Sequence, residues 1–193
     1  KSRDAIEFIT NSGSTIPLVN LYDDVLRDVM YRVGDLWFSN KITVDKEHFC
    51  TSTTQVALSQ FYSEIFSRPR KDKSIVTCCI GSELHEIGVR MLSDIFEYHG
   101  WDSFYLGSAV PLNAIIHALS DYSPKVIGLS VTMPHHLKNC YETVNAIRDN
   151  FGDKVKIMVG GRAFGFTDEV WKKWPVDFYS TNAQDAVKWA ESL

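Results

Sequence analysis

The stretch Glu83-Leu84-His85-Glu86-Ile87-Gly88 carries residue types and spacing that can do chemistry. His85 has a carboxylate two residues before it and a glycine three residues after it. An imidazole so placed can hold a metal while Glu83 accepts the other ring N–H, which fixes the tautomer and raises the basicity of the ligand. Gly88 lets the backbone come close to a bulky ligand. One histidine does not make a zinc-type centre, which takes three or four protein ligands. A lone protein ligand makes sense when the metal arrives inside a macrocycle. Taken by itself, the stretch reads equally well as a surface loop with a chance histidine.

The elements around it narrow the choice. An apolar run, Ser74–Ile80, leads into the stretch, and an amphipathic helical pattern follows over 87–99. Further apolar runs fall at 103–106, 126–131, 155–159 and 176–179, with helical patterns at 112–121, 137–150, 167–174 and 183–192. Alternating β and α predicts an α/β fold: a Rossmann- or flavodoxin-like parallel sheet of five strands with helices on both faces. The runs at 74–80, 126–131 and 156–159 are the most continuous and belong at the centre. Ligands in such sheets sit at the carboxyl ends of the strands, near a topological switch point. The loops there are 81–88, 107–111, 132–136 and 160–164.

The first 66 residues have a different period. Leu21, Val25, Val29, Val33 and Leu36-Trp37 recur at helical steps, with acidic and basic residues between them. Asn40 can stop that helix, and Thr43 can cap the next, which runs through Phe49, Val56, Leu58, Phe61 and Ile65. A shorter helix covers Asp4–Thr10. The expectation is a helical bundle cap over 1–66, a polar connector over 67–73 and the α/β domain over 74–193. A second cluster lies in this half: Trp37-x9-Glu47-His48, with Trp37 at a helix end and Glu47-His48 opening the next helix. On its own, that pattern is also compatible with a packed tryptophan beside an exposed Glu-His pair.

Composition sets outer limits. The chain has 193 residues and a net charge of -4, so nothing in it supplies a basic footprint for nucleic acid. The four cysteines (Cys50, Cys78, Cys79, Cys140) lack metal or redox spacing and read as buried thiols of a reducing, cytoplasmic protein. No apolar run approaches the roughly 20 residues needed to span a bilayer. The chain begins at Lys1 without Met, which suggests a longer parent with a module upstream. His135-His136 read as solvated loop residues, His99 and His117 as helix-surface positions, and Trp171, Trp174 and Trp189 as packing.

As a set, the loops resemble the cobalamin-binding domain with the Asp-x-His-x-x-Gly signature, with Glu83 in place of Asp. Ser130-Val131-Thr132 partly matches the family's later Ser-x-Leu motif, with Thr132 in place of Leu. Gly160-Gly161 matches its Gly-Gly motif. The resemblance implies base-off, His-on binding: His85 becomes the lower axial ligand of cobalt, and the benzimidazole tail enters beside Ser130, Gly160 and Gly161, in a slot that a side chain would fill. The cap with Trp37, Glu47 and His48 resembles CarH-type cobalamin photoreceptors, which implies that these three cover the adenosyl group of adenosylcobalamin. Where some light-sensing members have a histidine just after this Trp, the chain has Phe38.

The resemblance therefore implies a sensory module, bound to cobalamin between cap and Rossmann-like domain and responsive to light through cleavage of the cobalt–carbon bond. No catalytic residue is assigned in that reading. The cofactor would be adenosylcobalamin, with methylcobalamin or hydroxocobalamin as other forms, and the output a homo-oligomer change or a fused or partner module. The alternative is a corrinoid protein carrying a methyl group in a methyltransferase system.

Overall fold

The structure, a computed structural model, describes all 193 residues. The chain divides into two compact units, Lys1–Ser67 and Arg68–Leu193.

The first unit is all helical: α1 (Ser2–Ser12), α2 (Leu18–Asn20), α3 (Arg27–Phe38), α4 (Val44–Ser59) and α5 (Tyr62–Ile65). The sequence period predicts one helix through Leu21–Trp37. The structure instead opens it with a π-helical turn, Leu21–Leu26, between α2 and α3. The wider turn suits residues five apart, and Leu21 and Leu26 are both buried, with Tyr22 beside them. Tyr22 meets Phe61 edge-on at 6.1 Å between ring centres, and Leu18, Ala57, Leu58 and Ile65 complete the small core. Asn40, with φ 55, takes the left-handed position after α3, as expected of a helix stop. Thr43 stands at the N-cap of α4, but its backbone carbonyl, not its hydroxyl, takes the N–H groups of Lys46 and Glu47.

The second unit is a five-stranded, all-parallel sheet in the order β2-β1-β3-β4-β5. Its strands are β1 (Ser74–Ile80), β2 (Asp102–Val110), β3 (Val126–Ser130), β4 (Lys156–Gly160) and β5 (Phe178–Ser180). Helices α6 (Ile87–Tyr98), α7 (Leu112–Tyr122), α8 (Leu137–Phe151) and α9 (Ala183–Glu191) connect or follow them. The three most continuous apolar runs are the three interior strands, because an interior strand of a parallel sheet is covered on both faces. Ile75, Val76, Cys78, Ile127 and Ile157 are fully buried. The cysteines are free thiols, and burial, followed by the neighbouring Cys140, pushes Cys78 up to about 12.

Two segments differ from expectation. The predicted helix over 167–174 is absent. A short 3-10 turn, Val170–Lys173, stands there instead, after another at Arg162–Phe166. Glu169 is left-handed at one end, and Trp174 is extended before Pro175 at the other. Too few residues remain between them to nucleate an α-helix. Trp171 and Trp174 pack on Tyr179 and Phe164, and Trp189 stacks on Phe178, as packing residues. The connector is also built into the second unit. Arg70 bridges Glu97 and Asp102, and the Lys71 N–H donates to the Gly100 carbonyl at 2.6 Å.

Asp94 on α6 is 7% exposed, with one carboxyl oxygen 3.7 Å from Arg90 and the other unbonded. Burial, only partly opposed by Arg90, pushes its carboxyl up to about 7. The folded form therefore holds its proton above the unfolded value of about 4, and stability falls as pH rises from there to about 7. Asp94→Asn should raise the melting temperature more at about pH 8 than at about pH 5. An equal shift at both would contradict the burial argument.

Candidate functional site

β1 ends at Ile80, and Gly81, with φ +62, turns the chain over the carboxyl end of the sheet. The Glu83 N–H donates to the Ile80 carbonyl at 3.1 Å, and the Glu83 carbonyl accepts from the Ala109 N–H at 3.0 Å. These two bonds tie the loop to the ends of β1 and β2. The Glu83 side chain is 1% exposed.

Its carboxylate accepts five hydrogen bonds. Oε1 takes the ring Nδ1–H of His85 in a short contact and the backbone N–H of His85 at 3.2 Å. Oε2 takes the backbone N–H groups of Thr132 at 3.0 Å and Met133 at 2.8 Å, and the ring Nδ1–H of His136 at 3.1 Å. Burial alone would raise the carboxyl. The bonds from His85, Met133 and His136 outweigh it and hold Glu83 well below the usual carboxylate range. An ionised carboxylate accepts only, so each histidine must carry its proton on Nδ1. For His85 that makes Nε2 the nitrogen a metal would take. The His85 side chain is 47% exposed.

Gly88 lies in the first turn of α6. A Cβ there would meet nothing within 4 Å. No neighbour within the protein calls for glycine, which is a poor helix former, and space on the surface beside His85 is what a bulky ligand requires. No group of three or more His, Cys, Asp or Glu side chains is assembled to hold a bare ion. One oriented imidazole beside open backbone fits a metal that brings its remaining ligands with it.

The other motif residues meet at neighbouring strand ends. Ser130, half-buried, pairs in register with Gly160 on one side and Cys79 on the other. Thr132 contacts Glu83 through its backbone N–H, so its departure from Leu falls where the backbone makes the bond. The glycine pair has a structural reason of its own. A Cβ at Gly160 would lie 2.7 Å from the Ser180 carbonyl oxygen, and one at Gly161 would lie 2.3 Å from that of Val131. The protein's own backbone excludes side chains at both positions. Gly161 also has φ +101, which L side chains rarely adopt.

In the helical unit, Trp37 and Phe38 end α3 and are 40% and 83% exposed. Glu47 lies in the first turn of α4, and His48 follows it. The Glu47 carboxylate binds His48 Nδ1 at 2.6 Å and the Thr51 hydroxyl at 2.8 Å. The residue that sequence reasoning missed is His136. It is buried, not solvated, while His135 next to it is exposed. Pro134 starts a 3-10 turn, Pro134–His136, that points one histidine out and the next one in. Pro134 itself was the available signal, since it fixes where the turn begins.

A parallel sheet with one oriented histidine at the carboxyl ends of its strands defines a cofactor-binding α/β module. The chain belongs to the B12 binding domain family, which residues 73–188 match. Residues 3–62 match a second family, also described as a B12 binding domain. The chain is 24% identical over 151 residues to the HTH-type transcriptional repressor CarH of Myxococcus xanthus, covering 78% of this chain and half of the repressor's length. It is 21% identical over 196 residues to dimethylamine corrinoid protein 3 of Methanosarcina acetivorans, covering 100% of this chain and 91% of that protein. Among solved structures, the monomethylamine corrinoid protein of Methanosarcina barkeri superposes with a TM-score of 0.81 at 19% identity, covering 100% and 96% of the two chains. A cobalamin-binding protein from Desulfitobacterium hafniense gives 0.58 at 24% identity, covering 98% and 91%. These two structures carry the fold: a helical N-terminal part and a five-stranded parallel sheet.

Gly161→Ala should destabilise the second unit by roughly 2 kcal/mol or more, because the new methyl meets backbone that cannot move aside and the φ is strained. Urea unfolding checks this. A change within error would show that the Val131 carbonyl can yield.

Proposed function

We propose that this chain is a corrinoid carrier module that holds cobalamin base-off and His-on, with His85 Nε2 as the lower axial ligand. The observation that carries the reading is the Glu83–His85 pair, a buried ionised carboxylate orienting one imidazole at the carboxyl end of β1. When bound, the cofactor supplies the cobalt–carbon chemistry. Glu83 keeps the His85 proton on Nδ1 and so keeps Nε2 basic. Ser130, Gly160 and Gly161 stand at the strand ends beside which the benzimidazole tail would enter. The match to a dimethylamine corrinoid protein over the whole chain supports a methyl-carrying role beside a methyltransferase partner.

A second reading is an adenosylcobalamin photoreceptor in which Trp37, Glu47 and His48 contact the adenosyl group. The spacing of those residues and the likeness to the CarH repressor support it. In that reading the bound cofactor would supply a light-sensitive cobalt–carbon bond, and a change at the adenosyl face would be passed to an oligomer or an output module. Phe38 cannot ligate cobalt, so a second axial histidine at that position is ruled out.

Loading the full chain in the dark with methylcobalamin, adenosylcobalamin and hydroxocobalamin, then illuminating it, separates the two. A carrier should retain methylcobalamin and keep its elution volume in light. A photoreceptor should retain the adenosyl form more tightly and change spectrum and elution volume together, and Trp37→Ala should weaken the adenosyl form more than the hydroxo form. In both readings His85→Ala should lose the His-on spectrum and about tenfold or more in affinity. An unchanged spectrum would sink the ligand assignment.

A further inference from the structure

His136 is buried and makes side-chain bonds at both ring nitrogens. Nδ1 donates to Glu83 Oε2 at 3.1 Å, and Nε2 lies 3.1 Å from the Ser82 hydroxyl. Ser82 and Glu83 belong to the loop after β1, and His136 belongs to the turn after β3. The ring therefore staples the two loops together on the side of the carboxylate opposite His85. The carboxylate is shared between two imidazoles, one half-exposed and one sealed.

We propose that His136 is a positioning residue for the cobalt ligand: it holds Glu83 Oε2, which fixes the rotation of the carboxylate and so aims Oε1 at His85. The inference rests on the reading of His85 as the lower ligand. The two backbone N–H groups from Thr132 and Met133 hold Oε2 from the β3 side. His136 adds the one side-chain donor there, and through Ser82 it reaches back to the loop that carries His85. Without its N–H, Oε2 loses a donor in a buried place, where an unmade bond is costly. The carboxylate can then turn, and His85 loses its fixed tautomer and direction. His136 touches neither cobalt nor its macrocycle in this account.

The test uses the full chain and methylcobalamin in the dark, with the visible spectrum and the binding constant as readouts, and the melting temperature of the cobalamin-free protein as a check on folding. His136→Leu should lower affinity about tenfold and move the spectrum towards the His-off form. His136→Asn, which restores an N–H at the δ position, should recover most of both. His85→Ala should abolish the His-on spectrum. If His85→Ala leaves that spectrum intact, the ligand reading fails, and this proposal falls with it. If His85→Ala abolishes it while His136→Leu keeps the parent's spectrum and affinity, the positioning role alone is overturned. Equal impairment in the Leu and Asn variants would reduce His136 to packing and also overturn it. Should His136→Leu not fold, Ser82→Ala decides: a smaller loss in the same direction supports the role, and none refutes it.

Discussion

A single buried carboxylate organises the carboxyl end of this sheet. Glu83 is removed from water, so its charge is tolerable only because five donors surround it. The donors come from two places: the loop after β1, and the chain after β3. In the order β2-β1-β3-β4-β5 those two strands are neighbours, and the connections leave them towards opposite sides of the sheet. Glu83 spans that switch point. The backbone bond from Ala109 adds the end of β2. The loop that presents His85 is thus fastened to three strand ends through one residue.

This constraint explains why an otherwise weak set of motifs works together. The proton on His85 Nδ1 is fixed there by the carboxylate that accepts it. The carboxylate needs donors, and Thr132 and Met133 supply them through backbone that exists only because β3 ends at Ser130. The chain can turn after β4 because Gly160 and Gly161 let it pass against Ser180 and Val131. The glycines therefore serve the geometry of the strand ends first. Any room for a cofactor tail follows from that geometry.

The helical unit follows another logic. Its core is small, and several large apolar side chains remain exposed within it, among them Trp37, Phe38, Phe49 and Val56. Trp37 and Phe38 close α3, and Glu47 and His48 stand early in α4.

Much of this was legible in the amino-acid sequence. Apolar runs of strand length separated by helical periods determined an α/β sheet, and their continuity determined which strands are interior, because burial on both faces leaves no alternation to read. The pairing of Glu83 with His85 was legible as well, because the two residues stand close together on one short loop. Long-range placement decided the rest. Whether His136 points in or out depends on a 3-10 turn packed against a loop 50 residues earlier, and a sequence pattern carries no such distance. The role of Gly161 depends on how near the Val131 carbonyl comes, which strand registry settles. The failed helix at 167–174 depends on a left-handed residue and a proline at its ends, where local geometry prevailed over the apolar period. Sequence determined which residues can do chemistry; only the packed strand ends decided which of them share one carboxylate, because a buried charge selects its donors by position in space.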